Sequence, residues 1–79
     1  MSLILEYECH QILFSARTLK VDGIRFWVPS TSSWGRWVRR DDRPDWVGPF
    51  EEFIRDNAHV IDDIVESTNR RTIYRSELS

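Results

Sequence analysis

The middle of the chain, between residues 34 and 46, brings together three tryptophans and four arginines. Both residue types dominate the energetics of protein interfaces, because an indole ring buries a large area and a guanidinium binds a carboxylate as a rigid fork. This composition predicts a surface that contacts another protein. The candidate partner-binding residues of this Trp/Arg segment are Trp34, Arg36, Trp37, Arg39, Arg40 and Arg43.

The Trp/Arg segment also permits two other interpretations. Aromatic rings interleaved with arginines could stack on bases and bind phosphates, with Trp27 and Arg25 joining the segment. The net charge of −2 weakens this interpretation, since nucleic-acid-binding domains are usually basic. Alternatively, the tryptophans complete a small core while nearby carboxylates neutralise the arginines within the loop; these carboxylates are Asp41, Asp42 and Asp45.

A second candidate surface is a row of acidic residues on one face of a predicted helix. Glu52 and Asp56 are like-charged residues four positions apart, as are Asp62 and Glu66, and each such pair destabilises a helix by roughly 0.2–0.5 kcal/mol. A face that retains this repulsion could bind a basic partner, whereas the simpler interpretation is an ordinary solvated surface. The acidic helix face comprises Glu52, Asp56, Asp62, Asp63 and Glu66.

Catalytic and metal-binding patterns are scarce. One cysteine and two histidines make no zinc signature, and no glycine-rich phosphate loop is visible among three glycines. Cys9 and His10 are adjacent, and adjacent residues of a strand point to opposite sides, so we do not expect a nucleophile–base pair. We therefore predict a non-catalytic protein with no cofactor and no bound metal.

One long amphipathic helix over residues 49–69 is predicted to carry the acidic row. Apolar residues recur three and four positions apart along one stripe, and the charged residues, Glu51 among them, fall on the opposite side. Gly48-Pro49 marks its start, since proline suits the first helical position, and Asn69 suits a left-handed cap at its end.

A β-hairpin with its turn at Asp22-Gly23 is the strongest strand signal. Asp-Gly favours the two-residue turn that joins antiparallel strands, because both positions need a positive φ. This pairing places Leu19, Val21, Ile24, Phe26 and Val28 on one face, as a floor for the helix, and Lys20, Arg25 and Trp27 on the other.

The remaining segments are less well defined by their patterns. Residues 3–18 alternate apolar and polar side chains and are interpreted as strands, either one or two, although a helical stripe also fits. Residues 29–48 form a Ser-rich and then Trp/Arg-rich loop, and residues 70–79 a basic tail or short strand. We predict an α+β fold, with a small antiparallel sheet of three to four strands and the long helix packed on one face.

Size and composition narrow the classes of function. A chain of 79 residues is expected to form a single domain, and its single cysteine excludes an internal disulfide, which favours the cytoplasm. No apolar stretch approaches the roughly 20 residues of a membrane span, so no membrane association is expected.

The hypothesis that follows is a non-catalytic protein-binding module that docks on a larger protein. Small acidic proteins of this kind are typical of phage or mobile-element inhibitors of nucleic-acid-handling or defence proteins, an analogy from size and charge alone. Nucleic-acid binding through the Trp/Arg segment is the alternative. A homo-oligomer, such as a homodimer, with its tryptophans buried at its own interface is the third.

Overall fold

Two helices cover one face of a mixed β-sheet in the computed structural model, which describes residues 1–78. The predicted α+β class is therefore confirmed. The strands are β1 (Ser2–Glu6), β2 (His10–Ser15), β3 (Val21–Val28), β4 (Ser33–Trp34), β5 (Val38–Arg39) and β6 (Thr72–Tyr74). The helices are α1 (Pro44–Asp56), α2 (Ala58–Thr68) and a short 3₁₀ helix (Arg75–Glu77).

The sheet is larger than predicted and is not purely antiparallel. Its order is β4-β3-β2-β1-β6, and β5 pairs with β3 on the same edge as β4. Strands β1, β2 and β3 are antiparallel, whereas β6 runs parallel to β1. The two helices carry the chain from β5, on one edge of the sheet, to β6 on the other edge, where β6 lies beside β1 and runs in the same direction.

Apolar residues on alternate positions of the strands build the core against the helices. Leu3 and Leu5 of β1 lie opposite Phe14 and Ile12 of β2, and all four are buried. Residues 3–18 thus form two strands, not a helix. The core is completed by Val21, Ile24, Val47, Ile54, Ile61, Ile73 and Leu78.

The predicted hairpin turn at Asp22-Gly23 is wrong, because both residues lie inside β3. The chain turns earlier, at residues 16–20, where Leu19 has φ 60°. Phe14 pairs with Val21 and Leu13 with Gly23, which leaves Asp22 as the extra residue of a β-bulge. The extra residue of the bulge shifts by one the positions whose side chains face the core. The predicted two-residue turn would have had the same effect, so Val21 and Ile24 still share the core face.

Gly23 provides space for a neighbouring strand and does not form a turn. The structure shows no glycine with positive φ among residues 1–78. A Cβ at position 23 would lie 3.0 Å from the carbonyl oxygen of Val38 and 3.7 Å from Cε3 of Trp37. A Cβ would therefore press on the Val38 carbonyl oxygen of β5, whereas its contact with the Trp37 ring would be an ordinary one.

The single helix predicted for residues 49–69 is divided and begins earlier. Pro44, not Pro49, occupies the start of α1, and the helix is interrupted at Asn57. The Asn57 side chain donates a hydrogen bond to the Phe53 carbonyl oxygen at 2.9 Å, and this competition with the backbone pattern is typical of asparagine in helices. Asn69 follows α2 with φ 57°, in the left-handed region.

Glu51 is buried, which corrects its predicted place among the solvated acids. Its carboxylate accepts the Val21 amide N–H at 3.1 Å and forms an ion pair with Arg40. Arg55 lies 3.5 Å away on its other side. The pattern of α1 alone could not predict this, because Arg40 and Val21 come from the strand region.

We predict that Gly23→Ala destabilises the fold by about 1–3 kcal/mol, since the new methyl group must displace the Val38 carbonyl. Urea denaturation measures the change. Gly48→Ala is the matched control, because nothing lies within 4 Å of a Cβ at that helical position. The control should be stabilising by up to about 1 kcal/mol. Equal effects of the two substitutions would contradict the close packing at Gly23.

Candidate partner-binding surface

The face of the sheet opposite the helices, hereafter the open face, carries the candidate surface. Strand alternation places Leu13 opposite Gly23, Gln11 opposite Arg25 and Trp27 opposite Trp34. These positions alternate with the core positions, so their side chains point away from the helices. Glu6 of β1 lies opposite Gln11, so residues from β1, β2, β3 and β4 contribute to one continuous surface.

Three tryptophans and one arginine form the centre of this surface, hereafter the open-face cluster: Arg25, Trp27, Trp34 and Trp37. The Trp27 and Trp34 rings meet edge to face with centroids 5.5 Å apart. The Arg25 guanidinium carbon lies 5.1 Å from the Trp34 ring centroid and 4.6 Å from that of Trp37. Trp27 is 41% exposed, and the other three are partly buried. The cluster is ordered by its own contacts and still accessible.

A relay of hydrogen bonds across three strands holds Arg25 in place. Arg25 Nε donates to Gln11 Oε1 at 2.8 Å, and Gln11 Nε2 donates to Glu6 Oε1 at 2.6 Å. Gln11 is only 8% exposed, although it lies on the open face. Arg25 needs the amide oxygen of Gln11 as an acceptor, and Glu6 needs its NH₂ group as a donor. The Gln11 amide is therefore fixed in one orientation.

Two further arginines of the Trp/Arg segment accompany the cluster. Arg39 pairs with Gly23 in the sheet, which places it on the open face, and Arg36 lies between Trp34 and Trp37 in the chain. Both are exposed, and within residues 1–78 neither forms an ion pair. Their charge is therefore free to act on another molecule.

Arg40 and Arg43 lie apart from the open-face cluster. Arg40 binds Glu51 and the Val21 carbonyl oxygen, the latter at 3.2 Å. The Arg43 guanidinium carbon lies 3.9 Å from the centroid of the Trp46 ring. Arg43 Nη2 forms an ion pair with Asp45 Oδ2 at 3.4 Å, at the start of α1. The Arg43 guanidinium holds the pKa of the Asp45 carboxyl below its usual value.

The acidic helix face lies on the other side of the molecule. All five of its residues are exposed, and none takes part in an ion pair within the described part of the chain, residues 1–78. The protein thus separates its charges, with unpaired arginines around the open face and unpaired acids on the helices.

Arg25 and Trp27 belong to the cluster, although the sequence pattern linked them only to the nucleic-acid alternative. The available signal was the alternation in β3 after Gly23, which puts both side chains on the same face. Their contact with Trp34 and Trp37 depends on cross-strand register, which the bulge at Asp22 sets.

Cys9 and His10 are closer than expected, with 3.5 Å between Cys9 Sγ and His10 Nδ1. Cys9 lies in the bend before β2, so strand alternation does not apply to it. The His10 ring stacks on Tyr7 with centroids 4.7 Å apart, and His10 Nε2 is buried without a hydrogen-bond partner among residues 1–78. An imidazolium would leave this N–H unsatisfied, so the pair is poorly suited to proton transfer.

A cleft of about 630 Å³ opens beside this pair, between the β1–β2 loop and the end of β6. Tyr74 and Arg75 line its other wall. The Arg75 side chain already makes contacts within the chain. Its guanidinium carbon lies 4.7 Å from the Phe53 ring centroid, and its Nη1 donates a hydrogen bond to the Leu78 carbonyl oxygen at 2.9 Å.

Across residues 1–78, no group of three His, Cys, Asp or Glu side chains is placed to hold a metal ion. In the same range, no helix has the length and apolar character needed to cross a membrane. Comparison with known proteins found no matching family model, no similar curated protein and no similar solved structure.

We predict that the free energy of unfolding falls as the pH is lowered from 7.5 to 5.5. Burial lowers the pKa of His10 from its ordinary value of 6.5. Below pH 6.5 the His10 imidazole binds a proton more readily in the unfolded chain than in the folded protein. The free energy of unfolding therefore decreases as the pH falls. The slope for one such proton is at most about 1.4 kcal/mol per pH unit.

Urea denaturation at the two pH values measures this effect, with His10→Phe as the control that lacks the titrating ring. The loss should be smaller in the control. An identical pH dependence in the two proteins would show that His10 does not resist protonation.

Proposed function

We propose that this chain is a non-catalytic protein-binding module that docks on a larger protein through its open face. The observation that carries the proposal is the open-face cluster, in which Arg25 is held against two indole rings beside the exposed Trp27. Interface hot spots are enriched in tryptophan and arginine set in ordered surroundings.

The rigidity of the cluster supports this role. Binding normally costs side-chain entropy, roughly 0.5–1.5 kcal/mol for each long side chain that becomes ordered. The relay from Glu6 through Gln11 orders Arg25 before any partner arrives. The exposed Arg36 and Arg39 then supply adaptable charge at the margin of the contact.

The finer features of the proposal rest on an analogy from size and charge. The module acts in the cytoplasm on a larger protein that handles nucleic acid or serves in defence, in the manner of a phage or mobile-element inhibitor. It needs neither cofactor nor metal. A homodimer that buries the same tryptophans would use the same surface, and its mass in solution would be a multiple of 9.5 kDa.

Binding of single-stranded nucleic acid is the second candidate. It is favoured by stacking rings next to two arginines without acidic partners on an open sheet face. It is disfavoured by the net charge of −2 and by Glu6, whose carboxylate is part of the relay. Protein binding therefore remains the leading candidate.

Affinity capture from lysate of the source cells, with and without nuclease treatment, tests the proposal, with mass spectrometry to identify the captured proteins. We predict that one protein is recovered in a stoichiometric amount by the wild type. Trp27→Ala combined with Arg36→Glu should abolish this recovery, because both residues are exposed on the candidate surface. Glu66→Gln, on the acidic helix face, is the matched control and should retain the partner.

Recovery that disappears after nuclease treatment would favour the nucleic-acid candidate instead. No stoichiometric partner, or equal recovery by all three proteins, would contradict docking through the open face.

A further inference from the structure

We propose that Arg25 is an oxyanion-binding subsite, and that its ligand is the carboxylate of an acidic side chain on the partner protein. This inference rests on the proposed function, because it names the chemistry of the partner that the open face contacts. It assigns a specific role to a residue in the centre of the surface. The exposed Arg36 and Arg39 contribute charge around it.

The first observation concerns the uncommitted end of the Arg25 guanidinium. A guanidinium has five N–H donors, and in Arg25 the Nε–H is used by Gln11 at 2.8 Å. No acceptor within residues 1–78 forms a hydrogen bond with either Nη atom. The two Nη atoms can therefore donate as a fork to both oxygens of one carboxylate.

The second observation is that the orientation of this fork is fixed. Gln11 cannot turn its amide over, because Glu6 requires the NH₂ group and Arg25 requires the oxygen. The Trp34 and Trp37 rings restrain the guanidinium further, with centroids 5.1 and 4.6 Å from its carbon atom. A carboxylate would thus meet a donor pair that has already lost most of its freedom.

The aromatic rings also strengthen the interaction. They exclude water from part of the guanidinium, and a charged hydrogen bond gains strength where the local dielectric constant is lower than that of water. Lysine cannot replace this geometry, because an ammonium is a single strongly hydrated point charge. The subsite should therefore distinguish arginine from lysine at position 25.

The charge distribution favours a carboxylate from a protein over the phosphates of a nucleic acid. The open face offers three cations, Arg25, Arg36 and Arg39, next to the carboxylate of Glu6. A protein that contacts about 6–10 phosphates of a DNA duplex needs a longer row of cations than this. A few acidic side chains on a folded partner match the smaller number of cations.

Titration of the ¹⁵N-labelled protein with a blocked tetraglutamate peptide tests the inference directly. We predict that the peptide shifts the Arg25 Nε–H resonance and the indole N–H resonances of Trp34 and Trp37. A blocked tetraglutamine peptide is the neutral control and should shift none of them. Inorganic phosphate at equal ionic strength serves as the competing oxyanion.

Two variants separate the subsite from general charge attraction. Arg25→Lys keeps the charge but removes the fork, and should weaken tetraglutamate binding about tenfold. Arg36→Lys is the matched control and should weaken it less than about twofold, because an exposed arginine contributes mainly charge. Gln11→Leu frees the guanidinium, and should weaken binding while leaving the Arg25 fork chemically intact.

The inference is overturned if Arg25→Lys and Arg36→Lys bind tetraglutamate equally well, or if the peptide shifts only the exposed arginines. Shifts induced by phosphate but not by tetraglutamate would also overturn it, and would favour a nucleic-acid ligand. Its failure is distinguishable from failure of the proposed function. If Arg25→Lys binds a captured protein partner as tightly as the wild type does, the subsite is contradicted and the docking role is not. If Arg25 binds the carboxylate but no protein partner is captured, the docking role is contradicted and the carboxylate subsite is not.

Discussion

The buried carboxylate of Glu51 is the interaction on which the arrangement of the candidate surface depends. It is only 6% exposed and lies on α1, yet its partners come from the strand region. A buried charge is costly unless it is both paired and hydrogen-bonded. Here the Arg40 guanidinium supplies the opposite charge and the Val21 amide a further hydrogen bond, with Arg55 on the solvent side.

The position of Arg40 in the chain turns this ion pair into a constraint on the Trp/Arg segment. Arg40 directly follows β5, and its amide donates to the Asp22 carbonyl oxygen at 3.0 Å. Because Arg40 fixes the C-terminal end of β5, this strand lies against Gly23, and the Trp37 ring lies next to Gly23. The Gly35 amide donates to the Phe26 carbonyl oxygen at 2.8 Å, which secures the other end near β4. The two ends together bring Trp34 and Trp37 over Arg25.

Local patterns in the sequence were sufficient for the class of fold and for part of the surface. The alternation in residues 3–18 and the apolar stripe of the helix follow from the local periodicity of strands and helices. The α+β class could therefore be predicted from the sequence. The Asp22-Gly23 pair was misread because a hairpin turn and a bulge change the inward-facing positions in the same way. The direction of β6 was hidden, since three residues carry no information on parallel pairing.

The rest of the site depends on contacts between distant parts of the chain. Composition identified Trp34, Trp37, Arg36 and Arg39, but gave no reason to separate them from Arg40. Arg40 is instead engaged by Glu51, a residue whose helical pattern predicted exposure. The relay that orders Arg25 joins three strands, and nothing within any one of them indicates it.

Amide hydrogen exchange in Glu51→Gln is the most direct test of this dependence, with Arg55→Gln as the control that keeps the buried carboxylate. If Glu51 positions the Trp/Arg segment, its substitution should remove protection of the Arg40 amide and shift the Trp37 indole resonance. Protection of the Trp27 amide, which donates to the Cys9 carbonyl oxygen at 2.8 Å, should persist as the internal reference. Unchanged Arg40 protection and an unchanged Trp37 resonance would show that the segment is held by other contacts, and would contradict the account.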